Sequence, residues 1–367
     1  MKILLAGGGT AGHINPAIAI ATKFKQEGHQ ILFAGNSNGM EAKLVKIAGF
    51  DFTTIKIKGF YRSFSPKDIA HNISAAYLAL MSNFRAKKII KEFSPDIVIG
   101  TGGYVSGPIV ITAQKMGIKT AIHEQNAYPG VTTKLLAKRA NYVFSAVEKA
   151  KEHLDIGKNF YVVGNPVREN ILKKSKAEAK KELNLDDKML ILSFGGSLGA
   201  DAINIMAADL MQWHQGKNLI NHIHGYGRLG KEKFPKLLQE RNITLDNRIK
   251  AVEYIDNMDT LLAAADIVIC RAGAMTLSEL ELTQKPCILV PSPNVTANHQ
   301  FHNAMVLKEK NACYLIEEKY YKKENLISII ENILANPAKL EEMSKNIASL
   351  AVKDTADLIY DIIMSKD

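Results

Sequence analysis

A histidine directly follows a glycine-rich stretch near the start of the chain, where residues 7–12 read G-G-G-T-A-G and His13 comes next. An imidazole titrates near neutral pH and can accept a proton during catalysis. Glycines after a strand let the backbone approach an anion, and the next helix offers unpaired N–H groups. The stretch therefore indicates an anion site with a candidate base. The simpler alternatives are a tight strand-to-helix turn and a structural histidine.

The same glycines fit G-x-G-x-x-G, the fingerprint of a nicotinamide-binding loop. That loop requires an acidic residue about 20 positions later, at the end of the second strand, to bind the ribose. The second predicted strand ends in Gly35-Asn36-Ser37, and the first acid, Glu41, falls in the following helix. No arginine is placed there for a 2′-phosphate. We therefore expect the glycines to hold a different phosphate, and we disfavour a dehydrogenase.

Four further polar or glycine-rich stretches follow predicted strands, where the crevice of a parallel sheet collects ligands. They are T-G-G-Y-V-S-G at 101–107, H-E-Q-N at 123–126, G-G-S-L-G at 195–199 and R-A-G-A-M-T-L-S-E at 271–279. In the last, Thr276 and Glu279 have the spacing of a capping box at a helix start, which is the simpler interpretation of that pair.

The elements that position these loops form a repeated pattern. Short apolar runs alternate with helical segments, which is typical of a doubly wound parallel sheet. The opening K-I-L-L-A-G-G-G-T-A-G is echoed from Met189 by M-L-I-L-S-F-G-G-S-L-G-A, and P-D-I-V-I-G by A-D-I-V-I-C. We predict an α/β protein with two Rossmann-like domains, residues 1–163 and 164–350. A C-terminal helix in 351–367 could pack back on the N-terminal domain.

Composition restricts the class of protein. The chain has 367 residues, a net charge of +10 and three scattered cysteines without a C-x-x-C pair. Such cysteines argue against a disulfide framework or zinc site, and no apolar run is long enough to span a bilayer. The positive charge favours anionic partners. Nucleic acid is not expected, because no helix-turn-helix spacing, zinc knuckle or aromatic–basic signature is present.

These stretches occur in the order of a known family. The motifs G-G-T-x-G-H, G-G-Y-V-S-G-P, H-E-Q-N, G-N-P-V-R, G-G-S-x-G-A and C-R-A-G-A-x-T-x-S-E, then P-x-P and H-Q-x-x-N-A, resemble the MurG family of UDP-N-acetylglucosamine transferases. The resemblance covers roughly residues 2–304. It implies the GT-B fold, two Rossmann-like domains with parallel sheets facing across a cleft. It also implies inverting transfer of GlcNAc from UDP-GlcNAc to the C4 hydroxyl of MurNAc in undecaprenyl-pyrophosphoryl-MurNAc-pentapeptide (lipid I), which forms lipid II for peptidoglycan synthesis.

The resemblance also implies roles for single residues. Ser197 and Arg168 would bind the donor diphosphate, Ile255 the uracil, Glu279 the ribose and Gln300 the sugar. The full donor set is Thr10, Ala11, Gly12, Asn126, Arg168, Ser197, Ile255, Ala274, Met275, Thr276, Leu277, Ser278, Glu279 and Gln300. The acceptor diphosphate would meet Gly8, Gly9, Gly102, Gly103 and Tyr104. His13 is the candidate catalytic base, and Glu124 is the alternative.

Two departures from the commoner family pattern affect this assignment. Ala11 replaces a frequent glycine, and residues 294–299 lack the acids often found before the glutamine, so sugar contacts there are less defined. The chain has no D-x-D pair for a nucleotide-bound metal, and His299 and His302 lack a carboxylate or cysteine neighbour. We therefore expect no protein-bound cofactor or metal, although a divalent cation could stimulate the reaction.

A lipid-linked acceptor requires contact with the membrane. Ile73, Tyr77, Met81 and Phe84 share one face of a predicted helix, part of it exposed, and Arg85, Lys87 and Lys88 follow. An apolar face beside basic residues binds anionic lipid. We expect a peripheral protein on the cytoplasmic face of the inner membrane, unless this face only packs on the sheet.

Two other classes of function stay open at this point. One is a different GT-B transferase that uses a UDP-sugar, and the other is a non-catalytic regulator that binds a nucleotide sugar. The acceptor-side motifs argue against the first, and His13, Arg168 and Glu279 argue against the second. Besides UDP-GlcNAc, lipid I and an anionic membrane surface, other proteins of cell-wall synthesis and division are candidate partners.

Overall fold

A computed structural model describes residues 1–59, 65–167 and 169–365. By its internal contacts the chain divides into two compact units. Unit 1 comprises Met1–Val167 together with Val352–Asp367, and unit 2 comprises Arg168–Ala351. No helix among the described residues has the length and apolar character needed to cross a membrane.

The elements of unit 1 alternate between strands and helices. The strands are β1 (Lys2–Gly7), β2 (Gln30–Gly35), β3 (Asp51–Thr54), β4 (Ile97–Gly102), β5 (Lys119–Glu124), β6 (Tyr142–Ser145) and β7 (Phe160–Val162). The helices are α1 (Ala11–Gln26), α2 (Met40–Ile47), α3 (Pro66–Phe93), α4 (Gly103–Lys115) and α5 (Val131–Ala137). A 3₁₀ helix covers Glu148–His153. The strands form one parallel sheet in the order β3-β2-β1-β4-β5-β6-β7.

The strand order changes direction between β1 and β4, because β2 and β3 lie on one side of β1 and β4 to β7 on the other. In register, Ile3 pairs with Ile31 of β2 and with Ile97 of β4. Helix α1 packs on the face of the sheet that includes Ile3, whereas α4 packs on the opposite face with Leu4. Burial on both faces explains the continuous apolar run of β1.

Unit 2 repeats this arrangement with six strands. They are β8 (Leu190–Phe194), β9 (Asn221–Gly225), β10 (Ile249–Val252), β11 (Ile267–Cys270), β12 (Cys287–Leu289) and β13 (Cys313–Leu315). The helices are α6 (Lys176–Glu182), α7 (Asp201–His214), α8 (Lys233–Glu240), α9 (Met258–Ala264), α10 (Ala274–Leu282), α11 (His299–Glu309), α12 (Lys323–Ala335) and α13 (Pro337–Ala348). The 3₁₀ helices are Glu169–Leu172, Arg228–Gly230, Thr296–Asn298 and Glu318–Tyr320. The parallel order is β10-β9-β8-β11-β12-β13.

The two repeated sequence patterns therefore occupy equivalent places in the two sheets. Strand β1 corresponds to β8, and β4 corresponds to β11. The strand order reverses between β1 and β4 in unit 1 and between β8 and β11 in unit 2. The prediction of two parallel α/β sheets is confirmed. The last helix, α14 (Thr355–Met364), belongs to unit 1, where its Ile359 and Ile363 are buried in one cluster with Phe24 of α1.

One local prediction is wrong. Helix α10 begins at Ala274, its N-cap is Gly273, and no side chain caps it. Thr276 is the third residue of the helix, so it cannot form a capping box with Glu279. A capping box is present at α6 instead, where Ser175 and Glu178 bond each other's backbone N–H groups.

Candidate functional site

The strand-order reversal in unit 1 brings two glycine loops into direct contact. The Gly8 amide donates to the Gly102 carbonyl at 3.4 Å, and a Cβ on Gly103 would lie 2.1 Å from the Gly8 carbonyl oxygen. Gly103 also has a φ of +76°, which favours glycine. The first turns of α1 and α4 consequently begin side by side at the carboxyl edge of the sheet. A parallel α/β sheet binds ligands at this type of position.

A buried carboxylate supports the first of these loops. Glu41 is 1% exposed, its Oε2 accepts the Gly9 amide at 3.3 Å, and its Oε1 accepts the Asn36 amide at 3.0 Å. The Gly8 and Gly9 amides are thus engaged within the protein. Further backbone donors at this edge are the amides at the very start of α1 and α4, because the first amides of a helix have no carbonyl one turn before them. The His13 amide is already bonded to the Thr10 carbonyl at 3.1 Å. In the sequence Glu41 is only an acid misplaced for binding a ribose, and no local motif indicates this role.

His13 lies in the first turn of α1 at the same edge. Its Nδ1 is 2.9 Å from Oε1 of Gln125, and its carbonyl oxygen accepts from the Thr101 hydroxyl at 2.7 Å. Both partners are buried, whereas His13 is partly exposed. Gln125 therefore contacts the imidazole and Thr101 fixes the backbone of His13, and Nε2 is the nitrogen that remains for a ligand. The N-cap Thr10 and the first-turn residues Ala11 and Gly12 lie beside it.

The alternative base has its carboxylate engaged in structure. Glu124 is 3% exposed, its Oε1 accepts both the backbone and side-chain N–H of Asn126 at 3.0 Å, and its Oε2 accepts the Gly130 amide at 3.1 Å. This carboxylate orders the loop after β5 and orients Asn126. The geometry favours His13 over Glu124 as the group that accepts a proton.

In unit 2 the equivalent reversal point carries Ser197. Ser197 is exposed in the loop between β8 and α7, and its carbonyl oxygen accepts a hydrogen bond from the Arg228 amide at 3.3 Å. Gly199 closes the loop with a φ of +85°, and a Cβ there would lie 2.2 Å from the Tyr226 carbonyl oxygen. This close approach requires glycine. Ser197 therefore lies in an exposed loop that leads into the first turn of α7.

Helix α10 follows β11 on the other side of this reversal point. Leu277 and Ser278 are buried, with 4% and 7% exposure, so they would meet a ligand mainly through backbone atoms. The other predicted donor residues of the helix are partly exposed: Ala274, Met275, Thr276 and Glu279. Met275 and Glu279 are one turn apart and share a face.

Two further predicted donor residues follow different strands of unit 2, Ile255 after β10 and Gln300 in the helix after β12. Ile255 is 8% exposed, and its side chain fills the space over Gly225, so its backbone is the part available to a base. Oε1 of Gln300 accepts the Ser292 amide at 2.9 Å, which leaves its Nε2 as a donor for a hydroxyl. Arg168 lies outside the described residues. Within them, no three His, Cys, Asp or Glu side chains are grouped to hold a metal ion.

Helix α3 presents the predicted membrane residues. Ile73, Tyr77, Met81 and Phe84 are 68%, 62%, 46% and 72% exposed, and the prediction that part of this stripe is core is wrong. Ala75, Ala86, Ile89 and Ile90 form the buried side of the helix instead. Arg85 donates from Nε to the Thr54 carbonyl, whereas Lys87 and Lys88 are exposed. The alternative in which the stripe only packs on the sheet is therefore excluded.

Comparisons with known proteins cover most of the chain. The glycosyltransferase family 28 N-terminal domain matches residues 3–145, and the family 28 C-terminal domain matches residues 190–359. A UDP-N-acetylglucosamine–N-acetylmuramyl-(pentapeptide) pyrophosphoryl-undecaprenol N-acetylglucosamine transferase from Acetivibrio thermocellus is 39% identical over 99% of this chain and 97% of its own length. A protein of the same name from Thermoanaerobacter sp. is 41% identical over 100% of both chains. The crystal structure of Acinetobacter baumannii MurG superposes with a TM-score of 0.79 at 27% identity, covering 99% of each chain.

Proposed function

The chain belongs to glycosyltransferase family 28 and to its MurG branch, and from this membership we propose that it transfers N-acetylglucosamine from UDP-GlcNAc to lipid I, forming lipid II. The observation that carries this function is identity of about 40% from end to end with transferases of that name. The ordered loops at the carboxyl edges of both sheets are consistent with it.

The donor nucleotide is assigned to the reversal point of unit 2. The Ser197 hydroxyl and the first-turn amides of α7 can donate to diphosphate oxygens, because a helix N-terminus favours anions. The carboxylate of Glu279 can accept from two ribose hydroxyls, and Nε2 of Gln300 can donate to the sugar. Arg168 is assigned to the diphosphate from the family motif alone, since a guanidinium fits two phosphate oxygens at once.

The acceptor is assigned to the reversal point of unit 1. The first-turn amides of α4, at Gly103 and Tyr104, can bind its diphosphate. His13 takes the proton from the C4 hydroxyl through Nε2 as that oxygen attacks the anomeric carbon of GlcNAc. The bond from this carbon to the UDP oxygen breaks at the same time, and inversion gives a β-1,4 link. The charge left on UDP is stabilised by the donors named for the nucleotide.

The exposed stripe of α3 is assigned to the membrane that holds the acceptor's polyprenyl chain. Four large apolar side chains face solvent beside Lys87 and Lys88. Apolar insertion and attraction to anionic lipid add together in such a surface. We place the protein peripherally on the cytoplasmic face of the cell membrane.

One assay tests this function. The protein is incubated with UDP-GlcNAc and a short-chain lipid I analogue, and the disaccharide product and released UDP are quantified by mass spectrometry. We expect stoichiometric β-linked product, and His13→Ala should lower kcat by about 10²-fold or more with little change in UDP-GlcNAc affinity. UDP release that does not depend on lipid I, or binding of UDP-GlcNAc without any turnover, would overturn the proposal.

A further inference from the structure

A chain of hydrogen bonds leads from the backbone of unit 1 to His13. The Gly164 carbonyl oxygen lies 2.9 Å from Nε2 of His123, and Nδ1 of His123 lies 3.0 Å from Nε2 of Gln125. Oε1 of Gln125 in turn lies 2.9 Å from Nδ1 of His13. His123 and Gln125 are 1% and 4% exposed, so these side chains have no alternative partners in water. None of the functions assigned so far uses Gln125.

The surroundings of Gln125 determine which way its amide points. Its Nε2 lies 2.9 Å from the carbonyl oxygen of Thr101 and 2.9 Å from that of His123. Carbonyl oxygens only accept hydrogen bonds, so the amide nitrogen has to face them. A flipped amide would set its oxygen against two carbonyl oxygens in a buried site, which is costly. The end of the amide that faces His13 is therefore the oxygen.

This orientation determines the tautomer of His13. An amide oxygen can only accept, so Nδ1 of His13 has to carry the proton in their 2.9 Å contact. In the neutral imidazole the lone pair is then on Nε2. The titratable residues that directly precede Gln125 are His123 and Glu124, both on strand β5. Burial lowers the pKa of His123, which keeps that ring neutral beside the base.

We propose that Gln125 is a positioning residue that holds His13 as its Nδ1–H tautomer, so that Nε2 is the nitrogen presented to the acceptor hydroxyl. The inference rests on the proposed role of His13 as base. A carboxylate in this place would orient the ring and also raise its basicity. A neutral amide orients the ring without placing a further charge beside it.

The first test is spectroscopic and does not depend on activity. Long-range ¹H–¹⁵N correlation spectra of ¹⁵N-histidine-labelled protein report which ring nitrogen is protonated, and His13→Gln assigns the signal. We expect protonated Nδ1 and unprotonated Nε2 in the wild type, and a mixed tautomer population in Gln125→Met. An Nε2–H tautomer in the wild type would overturn the inference even if the transferase activity is found.

The second test separates positioning from general structural damage. Gln125→Met should lower kcat by about 10- to 10³-fold, within the range of general-base contributions, at nearly constant KM for UDP-GlcNAc. The matched control is Gln114→Met on α4, whose amide donates to the Leu136 carbonyl at 3.0 Å at the other end of that helix. It removes a similar amide–carbonyl bond and should leave kcat within about 2-fold, as expected of a position remote from the site.

A double mutant completes the test. Since Gln125 acts through His13, Gln125→Met should lower the residual rate of His13→Ala by less than about 2-fold. An equal loss of rate from Gln125→Met in the wild type and in His13→Ala would mean that Gln125 acts on the fold or on the substrate and not through His13, and would contradict the inference.

Discussion

Replacing Glu281 by glutamine should stabilise unit 2, and the gain should grow with pH. Glu281 lies in the last turn of α10 and is 8% exposed. Among the described residues no basic side chain forms an ion pair with it. Burial raises the pKa of its carboxyl from about 4.5 to about 8. A negative charge near a helix C-terminus is unfavourable as well. The folded protein therefore keeps this group protonated at neutral pH.

The magnitude follows from the linkage between protonation and folding. Below pH 4.5 both the folded and unfolded chains carry the proton, and the group has no effect on stability. Between the two pKa values only the folded chain keeps it, so stability falls by about 1.4 kcal/mol per pH unit. At pH 7 the cost amounts to roughly 3 kcal/mol, and above pH 8 it no longer grows. Glutamine has the same shape without a proton to lose, so Glu281→Gln removes this cost.

The single tryptophan allows unit 2 to be followed alone, because Trp213 lies on α7 and packs against the core of that unit. Urea unfolding is recorded by its fluorescence between pH 5 and pH 8. We expect Glu281→Gln to lie within about 1 kcal/mol of the wild type near pH 5 and to be more stable by about 3 kcal/mol at pH 7 and about 4 kcal/mol at pH 8. Glu331→Gln on α12, an exposed position, is the control and should change little. A difference that stays constant across this pH range would refute the reasoning.

Three further predictions concern other parts of the molecule. Burial lowers the pKa of His214 to about 4 and of His224 to about 3. The contribution that these neutral rings make to the stability of unit 2 is present above pH 6.5 and should be lost as the pH falls toward 4. His214→Gln should reduce this loss in the same fluorescence assay. Glu279→Gln should raise KM for UDP-GlcNAc by about 10- to 100-fold in steady-state kinetics, because a hydrogen bond to a charged group contributes a free energy of that size. An unchanged KM would show that Glu279 does not bind the ribose. The double substitution Tyr77→Ser and Phe84→Ser should weaken binding to anionic vesicles by about 10-fold or more in co-sedimentation. The control Leu229→Ser, at a residue of unit 2 that is 62% exposed, should not weaken binding. Equal effects of the two changes would show that the stripe of α3 does not bind the membrane.

Sequence patterns predicted the fold better than the site. Strands β1 and β4 are buried on both faces, so they appear as apolar runs that end in glycine. Similar apolar runs recur at β8, which Gly195 follows, and at β11, which ends in Cys270. The capping box was predicted wrongly because a three-residue spacing also occurs inside a helix, where Thr276 and Glu279 lie. The proximity of Cys270, Cys287 and Cys313 could not be predicted, because the three residues are far apart in the sequence. They are free thiols on three adjacent strands, and Cys287 pairs in register with Cys313.

The contacts that define the site depend on long-range folding. His13 and Gln125 are separated by 112 positions, and Glu41 and Gly9 by 32, so neither pair forms a local motif. Taken alone, Glu41 would be interpreted as an acid on a helix surface and Gln125 as an amide at the end of a strand. Only the order of the strands places them at one edge. Such partners can be inferred from sequence when the topology is known first, because the residues that follow β1, β4 and β5 then fall side by side.

The proposed function assigns different roles to the reversal points of the two units, and the polar side chains around each point differ in a way that fits these roles. In unit 1 the loop amides of Gly8 and Gly9 are occupied, a buried carboxylate lies behind them, and an imidazole is fixed by a neutral amide. Such a loop is poorly suited to an anion at the glycines themselves and well suited to accepting a proton. In unit 2 the Ser197 loop is exposed and no acidic side chain bonds its amides in the part of the chain described here. Under the proposed function, Glu41 and Gln125 therefore suit the first loop to proton removal, whereas the exposed second loop suits nucleotide binding.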